Sequence, residues 1–285
     1  MKKYIILASF ILFTSIAKAA IIETNNLSDI NDKFTELQQD YQPNDMLIVF
    51  SLRDVILKPA NPELKRKDDE AASLLKKMFK QAKLGNLIYF DEVLLTNYKY
   101  ELPDSGIAQL IKEITDKGTP VIGLAGYITG NFNKIDRFEV WLDQYLNKFN
   151  ISFANSYKES NDVTFNKLKP YAGTYPVFYN GILNCNKIPE DQTFVYFMTN
   201  LTIIPKIVVM VSSNVSSLNN VENQIKSYSN NIAFIGYAYV AANEENLVAT
   251  SDKDLVKFWA SLIDKINNVK RINPAYSSSD NPYDK

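Results

Sequence analysis

Two apolar runs in this sequence end in side chains that could do chemistry. Met46-Leu47-Ile48-Val49-Phe50 leads into Ser51, Leu52, Arg53 and Asp54, and Ile207-Val208-Val209-Met210-Val211 leads into Ser212, Ser213 and Asn214. Unbroken runs of this kind fit strands buried on both faces of a parallel sheet, and ligands of such sheets sit beyond the carboxyl ends of the strands. What stands there is a guanidinium beside several hydroxyls. A planar fork of N–H donors, with hydroxyl and strand-end N–H groups around it, suits a carboxylate or a phosphate and needs no metal. Catalysis is harder to assemble. Ser51 as a nucleophile would need a base, and the chain has no histidine, which excludes Ser-His-Asp and Cys-His catalysis and His-ligated metals. Its one cysteine, Cys185, has no internal disulfide partner and reads as a buried inert thiol. Asp54 is expected to pair locally with Arg53.

The elements that position these groups follow from hydrophobic periodicity. Leu27, Ile30, Phe34, Leu37 and Tyr41 recur at helical spacing before the first run. Beyond it, Pro59 and Pro62 break the pattern, and a mixed charge run leads to a helix marked by Ala71, Leu74, Leu75, Met78, Phe79 and Ala82. The stretch Leu87 to Thr96 is apolar and β-prone, and its Asp91 and Glu92 either line a cap or, as the preferred expectation, form a solvent-facing interruption or a turn. A helix carrying Ile107, Leu110, Ile111 and Ile114 stops at Gly118, and a buried strand over 121–125 follows. This is a βαβ unit, whose crossover is right-handed almost without exception. A helix over 131–149, a third strand at 151–153, an irregular Tyr-rich stretch over 154–180 and a short helix around Phe194, Phe197 and Met198 come next. After the strand 207–211, a helix bearing Val215, Leu218, Val221 and Ile225 feeds a fifth strand at 232–236, and a last helix begins at Ser251.

The first nineteen residues carry Lys2 and Lys3, an apolar run from Tyr4 to Ile16, and Ala17-Lys18-Ala19. This is the pattern of a secretory signal with cleavage after Ala19, giving a periplasmic or secreted product. Loss of Lys2, Lys3 and Lys18 takes the net charge from −1 to −4, which gives no electrostatic footprint for nucleic acid. No later apolar stretch is expected to span a membrane. Residues 20–274 are then one α/β domain, and 275–285, a Ser, Asp, Asn and Pro tail, are expected to be disordered.

In order and spacing, from Leu27 to Tyr239, the chain resembles the haloacid dehalogenase-like phosphatase superfamily, most closely an uncharacterised exported bacterial branch of it. The landmarks are the buried strand entering position 51, Pro120-Val121-Ile122-Gly123-Leu124, Asn150-Ile151-Ser152-Phe153, Asn180-Gly181-Ile182-Leu183 and Ser216-Ser217-Leu218-Asn219-Asn220-Val221-Glu222. The resemblance implies a three-layer Rossmann-like fold. It would have a mostly parallel five-stranded sheet, 46–50 as its central strand, the second and fourth strands beside it, and a small helical cap inserted over about 58–100. It also implies a site that this sequence does not reproduce. The nucleophilic aspartate falls on Ser51, the acid/base aspartate on Arg53 and the threonine on Val55. The second-motif hydroxyl falls on Ala125, the lysine on Glu190 or Asp191 with Lys187 close by, and the acidic pair on Ser212 and Ser213. Mg²⁺ needs carboxylates that these positions lack.

The resulting expectation is an exported, catalytically inactive member that acts by binding a small anion or a protein partner. Its candidate ligand residues are Ser51, Arg53, Ser212, Ser213 and Asn214, with no metal and no cofactor. Two other classes stay open. One is an acid-phosphatase-like phosphohydrolase working through displaced residues, which would need Mg²⁺. The other is a structural or host-directed interaction protein in which the cleft has no role.

Overall fold

The computed structural model describes residues 20–65, 69–82, 89–243 and 250–272. The expected signal and C-terminal tail lie outside these residues. In chain order the first half holds β1 (Ala20–Thr24), α1 (Leu27–Asp40), β2 (Met46–Ser51), β3 (Lys58–Pro59), α2 (Pro62–Lys65), α3 (Asp69–Gln81), α4 (Phe90–Asn97), β4 (Tyr100–Glu101), α5 (Ile107–Asp116) and β5 (Val121–Ala125). The second half holds α6 (Phe138–Asn147), β6 (Asp162–Thr164), β7 (Val177–Tyr179), β8 (Ile182–Asn184), α7 (Glu190–Asn200), β9 (Ile207–Ser212), α8 (Val215–Tyr228), β10 (Ala233–Tyr239) and α9 (Asp252–Ile272).

The main sheet has eight strands in the order β1-β10-β9-β2-β5-β8-β7-β6, against the five expected from sequence. β1 through β8 in that order pair parallel, and β7 and β6 extend the edge antiparallel. β2 lies between β9 and β5, as expected of the central strand, and every one of its residues is buried. Its side chains alternate strictly between the two layers. Met46, Ile48 and Phe50 join the core under α1, α5, α6 and α9, whereas Leu47 and Val49 join the core under α7 and α8. Side chains of this size, fully buried, contribute roughly 1.5–3 kcal/mol each, so the strand is fixed in register before its polar end is reached.

The third expected strand is misplaced in the sequence reading. Residues 151–153 are not a strand; β8 at 182–184 takes the place beside β5. Ile151 and Phe153 are buried and Ser152 is exposed, an alternation that imitates a strand, yet the segment packs beneath the sheet. The Phe153 ring lies against Gly123 of β5, and the Ser156 hydroxyl donates to the Val121 carbonyl at 2.7 Å while accepting from its N–H at 2.8 Å. Gly181, at φ 77°, lets β8 begin directly over the Phe153 carbonyl.

The stretch around 90–97 is likewise a helix, α4, although its apolar residues suggested β structure. Residues 87 and 88 of that stretch lie outside the described residues. Val93, Leu94 and Leu95 are buried, and Phe90 stacks on Trp259 of α9 with ring centroids 6.2 Å apart. α2, α3 and α4 together form an insertion between β3 and β4, which pair antiparallel at its base. Among the described residues no helix is long and apolar enough to cross a membrane.

Candidate functional site

Parallel pairing brings the strand ends to one edge. Ser51 stands opposite Leu124 of β5, and Phe50 stands opposite Val211 of β9, so Ser51, Ala125 and Ser212 all terminate their strands there. The pleat then separates them. Ser51 and Ser212 follow the residues facing α7 and α8, whereas Ala125 belongs to the opposite core. Both serines are buried, and the Ser51 hydroxyl has no hydrogen-bond partner among the described residues.

Immediately after β2 the chain makes a tight turn. Leu57 N–H donates to the Leu52 carbonyl at 2.8 Å and Asp54 N–H donates to the Leu57 carbonyl at 2.8 Å, with Asp54 in the left-handed region at φ 60°. Leu52, Val55, Ile56 and Leu57 are buried and anchor the turn, which leaves Arg53 and Asp54 to project from it. Arg53 Nη1 lies 3.1 Å from Asp91 Oδ1, Arg53 Nε lies 3.9 Å from Asp54 Oδ2, and the Arg53 side chain remains 66% accessible. The local pairing with Asp54 is therefore the weaker contact. The main partner is Asp91 on α4, a residue read from sequence as part of a turn. Asp191 is not an ion-pair partner of Arg53 among the described residues.

Lys187 enters from the opposite side. Asn186 and Lys187 are both left-handed, at φ 50° and 62°, and they turn the chain back over the sheet edge after β8. Asn186 holds this bend with its side chain, donating to the Tyr171 and Thr174 carbonyls at 3.2 and 2.8 Å and accepting from Thr129 N–H at 3.1 Å. Lys187 Nζ then lies 2.9 Å from Glu92 Oε1 and 3.4 Å from Asp91 Oδ2. The Asp91 carboxylate thus bridges two cations delivered by two separate loops. Glu92 is fully buried and also accepts from Ile128 N–H at 2.9 Å.

The electrostatics follow from burial against pairing. Burial pushes the Asp91 carboxyl up, but Lys187 and Arg53 more than offset it and hold the group below the usual carboxylate range. Glu92 is pushed above that range by burial, which Lys187 only partly offsets. For Lys187 burial alone would lower the ammonium, and Glu92 and Asp91 together raise it. Tyr100 and Tyr127 border the cluster, both raised by burial, with Asp91 adding to the shift in each.

Other expected residues have different employment. Glu190, at the start of α7, accepts from the Ser217 hydroxyl at 2.5 Å and faces Gly126 at the end of β5. Burial raises its carboxyl. Asn214 caps α8, its Oδ1 accepting from Ser216 and Ser217 N–H at 2.9 and 3.2 Å, so this oxygen is committed to the helix rather than to a ligand. Ser212 Oγ accepts from Asn214 N–H at 3.2 Å, and the Ser213 hydroxyl donates weakly to the Arg53 carbonyl at 3.4 Å. Cys185 is buried and its thiol is raised by that burial, in keeping with an inert role. Among the described residues no cluster of three or more His, Cys, Asp or Glu side chains is arranged to hold a metal. Ser51, Ser212 and Ser213, the positions where the resemblance would put Mg²⁺ carboxylates, carry hydroxyls, which do not fit that ion.

Asp91, Glu92 and Lys187 are not among the candidate ligand residues read from the sequence. A usable signal was present: two adjacent acids within an otherwise apolar stretch, Leu87 to Leu95, must find cations if that stretch is buried.

A model of a family described as proteins of unknown function, DUF2608, matches residues 23–270. A Rickettsia bellii protein is 38% identical over 99% of this chain and 98% of its own length. A Rickettsia conorii protein is 39% identical over the same shares of each chain, and a Rickettsia prowazekii protein is 36% identical over 93% and 91%. All three are described as uncharacterized proteins. No solved structure matches. The chain belongs to the DUF2608 family.

Proposed function

We propose that this chain is an exported, catalytically silent binding module with a phosphatase-like fold of the haloacid dehalogenase type, whose strand-end site takes a small oxyanion without a metal. The strand order supports the fold reading, with β2 between β5 and β9 and a helical insertion following the turn after β2. The observation that carries the binding reading is the Asp91 carboxylate held between Arg53 and Lys187. It is an oxyanion site built from opposite loops, in which the chain supplies an oxyanion of its own. The guanidinium suits the task because its fork geometry matches carboxylate and phosphate. The Arg53 side chain is 66% accessible to solvent, so an external anion can reach its guanidinium.

With EDTA present, acetate or inorganic phosphate is expected to raise the melting temperature, and Arg53→Ala is expected to remove the shift. At a hundred times its dissociation constant a ligand adds about 2.7 kcal/mol, which is readily measured. Equal shifts in the two proteins would refute the assignment of the site to Arg53.

Catalytic silence is the companion expectation. Ser51 has no partner to activate it, and the nearby carboxylate Glu190 is bonded to Ser217. Purified protein with Mg²⁺ should leave phosphate monoesters intact. Turnover abolished by Ser51→Ala or Asp54→Asn would instead establish the phosphohydrolase alternative.

A further inference from the structure

We propose that Asp91 is an exchangeable, built-in occupant of this site, and that the ligand is a monocarboxylate which takes its place while Glu92 keeps the insertion seated. The inference rests on the oxyanion-binding reading above and adds the ligand class and its regulation.

The two adjacent acids of α4 are held in different ways. Glu92 is fully buried and its Oε1 is shared by Lys187 Nζ and the Ile128 backbone N–H, each at 2.9 Å. Moving it would strip a buried ammonium and a backbone donor of their partner, which is costly. Among the described residues Asp91 has two cationic contacts, at 3.1 and 3.4 Å, and 28% of its side chain is accessible. Its carboxylate can rotate into water without moving the helix. Phe90, on its other side, remains stacked on Trp259. α4 is thereby fixed by the residues flanking Asp91, and only the Asp91 side chain is free to leave.

Charge then selects the ligand. With Asp91 rotated away, Arg53 and Lys187 are left facing Glu92, Asp54 and Glu190. Lys187 is already half committed to Glu92. A monoanionic carboxylate restores the balance that Asp91 provided and repeats a geometry the site already holds. A phosphate dianion brings a second negative charge that no unpaired cation meets, and like charges repel strongly at this range.

Calorimetric titration of the full chain with acetate and with inorganic phosphate, in EDTA at pH 7.5, tests this. Acetate is expected to bind wild type more tightly than phosphate does, and Asp91→Asn is expected to tighten acetate binding on the order of tenfold by removing the internal competitor. Asp91→Ser serves as a second variant should the amide substitution misfold. Equal acetate affinity in wild type and both variants would overturn the self-occupancy, and tighter phosphate than acetate binding would overturn the ligand class. Binding of neither anion to any of these proteins would overturn the oxyanion reading itself.

Discussion

Lys187→Met lowers the stability of the fold by about 3–5 kcal/mol, the range observed when one member of a buried ion pair is removed. The methionine fills the space of the lysine stem, so little of the loss is packing. What remains is Glu92, fully buried, with its Ile128 N–H bond and no cation within reach except across Asp91. Two further measurements separate this from a general defect. The double variant Lys187→Met/Glu92→Gln recovers much of the loss, because an amide needs no counter-charge. The deficit of the single variant also shrinks as pH falls. Burial already raises Glu92 above its ordinary value in the intact protein, and loss of Lys187 raises it further. The folded state therefore binds a proton that the unfolded state releases, and stability rises as pH drops through the folded pKa toward the unfolded one. A deficit independent of pH, or no rescue by Glu92→Gln, would mean that the ammonium is not the partner of Glu92.

Gly181→Ala costs about 2–4 kcal/mol in chemical denaturation, within the range of strain and overpacking at a special backbone position. Two effects add. Gly181 sits at φ 77°, where an L side chain is strained, and a methyl at that position would lie 2.1 Å from the Phe153 carbonyl oxygen. Relief requires moving backbone, because the opposing atom is not a flexible side chain. Gly173, also left-handed at φ 81° but with nothing within 4 Å of its added methyl, is the control. Its alanine variant should lose only the conformational part, about 1 kcal/mol. Equal losses at the two positions would show that the approach of β8 to Phe153 is not the constraint.

The difference between these two glycines illustrates which features were legible in the sequence. Long apolar runs announced β2, β5, β9 and β10, since five or more consecutive buried residues have few alternatives. The strand-end positions of Ser51, Arg53 and Ser212 followed from the same runs. β8 was missed because it is three residues long and contains Asn184, while the neighbouring Ile151-Ser152-Phe153 alternates like a strand and is buried for a different reason. α4 was missed because Val93, Leu94 and Leu95 favour either state and the buried Glu92 seemed to forbid burial. Its cation lies far along the chain, at Lys187. Pairings of that span are set by topology. The partners of Arg53 were legible only in part for the same reason: local spacing gave Asp54, which lies at 3.9 Å, and the fold adds the closer Asp91 at 3.1 Å.

An external oxyanion is expected to land on the Arg53 guanidinium. The arginines of the chain are Arg53, Arg66, Arg137 and Arg271, so arginine-selective ¹⁵N labelling gives a short spectrum in which the Arg53 Nε signal is assigned by its loss in Arg53→Ala. Titration with acetate in EDTA should move that signal saturably, in step with the calorimetric isotherm, and leave the Arg137 signal in place because Arg137 is bonded to Glu139 and Asp162 at 2.8 and 2.9 Å. An Arg53 signal that stays fixed while acetate binds elsewhere, or that moves only in proportion to ionic strength, would contradict it.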